Sequence, residues 1–103
     1  MDLRRHHRVS FSEPVVFSRK GEEQQISGTA TDISLGGMFI ETTEPAAFGA
    51  EVVIQVRLPG QPAPFGLPAV VRWVRPGGMG VQFRMLGARE THTITELVRA
   101  GKK

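Results

Sequence analysis

At 103 residues the chain is one domain, large enough for a single modest core and too small for a core plus a deep, walled catalytic cavity. It has no Cys, which excludes disulfides, thiolate metal sites and cysteine nucleophiles. Twelve Gly and seven Pro argue against a helical bundle, and the net charge of +3 rests on ten Arg and three Lys, favouring anionic partners that a planar guanidinium can grip bidentately.

In chain order, residues 1–13 read as a flexible basic arm and residues 14–103 as the folded domain. Within the arm, Arg4-Arg5-His6-His7-Arg8 places three guanidiniums in five residues. By itself such a run is a solvated terminus. Neighbouring His side chains on an extended chain point apart, and no carboxylate or thiolate cluster completes a coordination set, so no metal site is expected. No apolar segment follows the basic start, and no apolar run approaches the ~20 residues of a span, so neither a signal peptide nor a membrane helix is expected. A cytoplasmic location is the expectation.

Pro14 to Lys20 reads as a strand of β-branched and aromatic residues that ends at a Gly21-Glu22-Glu23 turn. Gln24 to Ile33 alternates, with Ile26, Gly28, Ala30 and Asp32 on one face and Ser27, Thr29, Thr31 and Ile33 on the other. Ser34-Leu35-Gly36-Gly37 is a turn, and Met38 to Thr43 a further strand. Glu51 to Leu58 alternates cleanly, with Val52, Ile54, Val56 and Leu58 inward. Phe65 to Arg75 holds the next strand, with Val70 and Arg72 opposite Val71 and Trp73. Met79 to Met85 follows the Pro76-Gly77-Gly78 turn. At about 88–100 the period changes to helical, with Ile94, Leu97 and Val98 on one face. The prediction is a mainly β domain of about six antiparallel strands, a sandwich or a small barrel, with a C-terminal helix. Trp73 is expected to pack at a core edge. Arg72, Arg75 and Arg84 are candidates for secondary anion contacts, although single surface Arg residues are usually just solvated.

Arg4 and Arg8 fit R-x-x-x-R. Asp32, Ser34 and Gly37 fit [D/N]-x-S-x-x-G, in which an acid and a hydroxyl two apart can face one side and Gly37 permits a tight turn or a close backbone approach. The ordered pair of motifs, with Thr31 to Ile40 (TDISLGGMFI), Val70 to Pro76 (VVRWVRP) and Gly80-Val81-Gln82-Phe83, resembles the PilZ domain family along nearly the whole chain.

That resemblance implies a six-stranded antiparallel β-barrel with a C-terminal α-helix, acting as a bacterial receptor for the second messenger cyclic di-GMP. By resemblance, Arg4 and Arg8 grip phosphate and the guanine O6/N7 edge, Asp32 and Ser34 read the other guanine edge, and Gly37 shapes the turn beneath the base. Arg5 and the His pair are secondary candidates for field or stacking. These roles suit the residue types, since Arg forks bidentately onto O6/N7 or phosphate and a carboxylate accepts from N1/N2 donors. The ligand is expected to wrap the arm onto the barrel and change the surface offered to an unidentified downstream protein, with motility, polysaccharide export (and so biofilm) or transcription as outputs. Leu3 stands where members that bind an intercalated ligand dimer carry Arg, so one ligand per domain is expected. The alternative within the family is an interaction module that does not bind the nucleotide. A small basic nucleic-acid binder is disfavoured, because no exposed aromatics interleave with the cations. No cofactor is expected, and without a metal cluster, P-loop or nucleophile–base pair neither is an enzyme.

Overall fold

The computed structural model describes residues 8–58 and 60–101. They form six strands and one helix: β1 (Val9–Arg19), β2 (Ile26–Ile33), β3 (Gly37–Glu41), β4 (Glu51–Val56), β5 (Phe65–Arg75), β6 (Gly78–Phe83) and α1 (Ala88–Gly101). The strands close into a barrel in the order β1-β2-β3-β6-β5-β4, with every neighbouring pair antiparallel. Closure gives each strand a paired neighbour on both sides, although β1 pairs with β4 only from Val15 onward.

Alternation builds the interior. Val15 and Phe17 of β1, Val52, Ile54 and Val56 of β4, and Leu67, Ala69 and Val71 of β5 all point inward and are buried. Met38 and Ile40 of β3 and Met79 and Val81 of β6 complete the wall. Leu58, past the end of β4, and Ile94 of α1 are fully buried in the same cluster, with Leu97 and Val98 packed against it. The helix nearest neighbour is β1. The helix is too short and too polar to cross a membrane, and no other helix occurs among the described residues.

Two sequence expectations need correction. The first strand begins at Val9 rather than Pro14, so residues 9–13, assigned to the arm, are strand. Val9 and Phe11 are buried while Ser10 and Ser12 are exposed, and Val9 and Ser10 pair with Ile33 and Asp32. A four-residue alternation beside a basic run is too short to stand out; the long partner β2 extends it. The second concerns the faces of β2. Ala30 pairs with Ile40 and Asp32 with Phe39, so β2 advances two residues where β3 advances one. This bulge switches the alternation: Ala30 and Ile33 are both buried, and Asp32 does not share the face of Ala30.

Candidate functional site

The bulge in β2 has a direct chemical result. It turns Asp32 to the outer wall, where its side chain is 31% exposed. There Oδ1 accepts from two donors: Nη1 of Arg8 at 2.5 Å and the backbone N–H of Phe39 at 3.1 Å. Arg8 sits immediately before β1, and the pairing of Val9 with Ile33 carries it alongside Asp32. The two residues, distant in sequence, are thus held together by strand pairing, and the guanidinium remains half exposed. Among the described residues, both hydrogen bonds to the carboxylate fall on Oδ1.

Ser34 takes a different place. It is 1% exposed, and its Oγ accepts from the N–H groups of Gly36 (3.1 Å) and Gly37 (3.2 Å). The hydroxyl therefore fastens the turn between β2 and β3 from within, as Ser side chains do at turns. Gly37 has an ordinary φ; what it supplies is a close approach. A Cβ there would collide with the backbone carbonyl of Val81 on β6. Of the expected site residues, Arg8, Asp32, Ser34 and Gly37 come together at one end of β2 and β3. Arg4, Arg5, His6 and His7 lie outside the described residues.

Next to Asp32 the wall continues as an aromatic surface. Phe39 lies outward on β3, and its ring stacks on Trp73 of β5, with centroids 5.3 Å apart and planes 27° apart. The guanidinium carbon of Arg75 lies 4.5 Å from the Phe39 centroid and 5.2 Å from the Trp73 centroid, within cation–π range. Between these strands runs β6, which offers Gly78 and Gly80 on this face. A Cβ on Gly80 would meet the Trp73 ring, with Cζ2 2.7 Å away, and one on Gly78 would come within 2.6 Å of Cζ of Phe39. The rings therefore lie flat against bare backbone. Trp73 is 44% exposed and belongs to this outer surface, not to a core edge. A second bulge explains the difference: Val71 pairs with Val81 and Trp73 with Gly80, so Trp73 leaves the inward face of Val71. Sequence reasoning did not find Phe39, Trp73 and Arg75 as a group. The legible signal was Gly78-x-Gly80, two small residues on one strand face, which leave room for neighbouring rings.

Residues 2–100 match the family model described as PilZ domain. The chain belongs to the PilZ domain family. Solved PilZ structures share its fold. The PilZ domain of CeSA from a cellulose-synthesizing bacterium superposes with a TM-score of 0.74 at 22% identity, covering 91% of this chain and 96% of that one. The PilZ domain of YcgR from Escherichia coli, solved with c-di-GMP, gives 0.76 at 15% identity, covering 98% and 92%. The Bacillus subtilis inhibitor of motility MotI/DgrA gives 0.74 at 18% identity; the match covers 97% of this chain and 51% of that longer protein. At these identities the likeness is one of fold. No curated protein gives a significant match in sequence.

Proposed function

We propose that this PilZ domain is a receptor for cyclic di-GMP rather than a catalyst. The observation that carries the reading is the Arg8–Asp32 pair on the outer wall, set against the Ser34–Gly37 turn. A guanidinium and a carboxylate side by side match the two hydrogen-bonding edges of guanine: Arg donates to O6/N7 or to phosphate, and Asp accepts from N1/N2. Cyclic di-GMP carries both kinds of group, two guanines and two phosphodiesters. Ser34 serves the site from below by fixing the turn, and Gly37 keeps β3 tight against β6. The half-exposed Trp73 ring supplies a stacking face for a base, joined to the polar pair through Phe39, whose N–H reaches Asp32 and whose ring touches Trp73. Arg4, with Arg5 as a weaker contributor, adds cations from the segment that precedes Arg8. Fixing such a segment costs roughly 1–2 kcal/mol per residue, so a ligand that draws it down also redraws the surface that a partner protein meets.

Calorimetric titration with cyclic di-GMP tests this reading. Binding is expected in the wild type, far above that of GMP, GTP or an oligonucleotide at equal ionic strength. Arg8→Ala and Asp32→Asn should each weaken it by about 1–3 kcal/mol, roughly fivefold to 150-fold. Asn is the informative replacement, because its Oδ1 can still hold the Phe39 N–H. Absence of heat and of any thermal shift at high ligand concentration in the wild type would overturn the receptor reading.

A further inference from the structure

The same outer wall carries a second feature that the nucleotide reading does not use. Val70, Arg72, Gln82, Phe83 and Arg84 line an open groove of about 230 Å³ on β5 and β6. Its two cations are arranged differently. Arg72 donates from Nε to Oε1 of Gln82 at 2.7 Å, which fixes the plane of the guanidinium and leaves its outer N–H groups to point elsewhere. Arg84 follows the end of β6, its backbone N–H held by the carbonyl of Pro68 at 2.8 Å. Neither has a carboxylate within ion-pair distance among the described residues. Val70 and Phe83 are 6% and 8% exposed, so what the groove presents to solvent is mainly polar.

We infer that this groove docks an acidic segment of a partner protein, seating a glutamate between Arg72 and Arg84. The chemistry selects that occupant. A groove of about 230 Å³ has room for a Glu side chain. Two arginines that line the groove with no acidic partner among the described residues suit a carboxylate. Nucleic acid would need an exposed ring face beside the cations, and the groove lining offers none. The groove is also tied to the turn of the nucleotide site. Gln82 pairs with Gly37, and the Phe83 N–H donates to the Gly36 carbonyl at 2.8 Å. A partner seated here lies on the same wall as Asp32 and Trp73, next to whatever binds there.

The probe is a short synthetic peptide alternating Glu and Ala, with its Gln/Ala counterpart as control, titrated into the full chain and followed by heteronuclear NMR. Shifts are expected to centre on Val70, Arg72, Gln82 and Arg84, to shrink with salt and to vanish with the Gln peptide. The double variant Arg72→Ala/Arg84→Ala should bind the Glu peptide at least about fivefold more weakly. Shifts scattered over every surface Arg, or an oligonucleotide of equal charge binding equally well at these residues, would overturn the docking proposal. Cyclic di-GMP is titrated into the same double variant as a separate arm. Affinity within about twofold of wild type keeps the groove distinct; a large loss would assign it to the nucleotide site and refute it as a partner surface. Failure of the wild type to bind cyclic di-GMP would sink the receptor reading alone, since the peptide result stands independently.

Discussion

Asp32 and Ser34, two positions apart, are set differently in the barrel wall. Asp32 presents its carboxylate outward beside Arg8, whereas Ser34 is buried and bonded to its own turn. Removing the Ser34 hydroxyl leaves the buried Gly37 N–H and the part-buried Gly36 N–H without their acceptor, which costs roughly 1–3 kcal/mol. Ser34→Ala is therefore expected to lower the unfolding free energy by about that amount in denaturant titration. It should weaken ligand only through the turn, less than Asp32→Asn does. A Ser34→Ala variant of unchanged stability that abolishes binding would show the hydroxyl to be a direct ligand contact. The Arg8–Asp32 ion pair itself is half exposed and contributes at most about 1 kcal/mol to folding, so Arg8→Ala should fold normally.

The elements show why part of the site was legible in the sequence and part was not. The motif residues declared themselves by type and spacing, and the clean alternation of Val52, Ile54 and Val56 marked β4 without ambiguity. What spacing could not reveal were the bulges in β2 and β5. One residue inserted before Asp32 and another before Trp73 each reverse the inward–outward order for the residues that follow. Since a bulge is set by the partner strand as much as by its own, a period-2 reading assigns Trp73 to the interior when it stacks outside on Phe39. Strand β6 allows a test by element. Gly37→Ala forces a Cβ onto the Val81 carbonyl, and backbone cannot step aside, so a loss of about 1–3 kcal/mol in stability is expected. Gly80→Ala meets only the Trp73 ring, which can swing outward. That variant should fold with little loss yet shift the emission of the single Trp, a signal with no background from other Trp. Unchanged emission would contradict the packing of Trp73 on β6.

At the scale of the molecule, the barrel is closed, and α1 is anchored by a side chain set wholly into the core, Ile94. Ile94→Ala is expected to cost about 2–5 kcal/mol, a large share of the roughly 5–15 kcal/mol that a domain of this kind commands. Chemical denaturation should show a lower midpoint with a single transition. An early, separate loss of helix signal would mean instead that α1 unfolds independently of the barrel. The composition that suggested a small basic domain with little room for a cavity fits the finished molecule, whose interior is filled by its own side chains and whose candidate sites all lie on one outer wall.

The ion pair at the mouth of that wall bears on how fast the domain can respond. In the unliganded protein the counter-ion of Arg8 is a carboxylate of the same chain. On the proposed receptor reading, an arriving phosphate would replace a tethered anion instead of expelling a free one into the solvent, and its departure would let the carboxylate return at once. Recapture by Asp32 would then compete with rebinding at the moment of release, shortening the lifetime of the proposed complex and favouring prompt resetting.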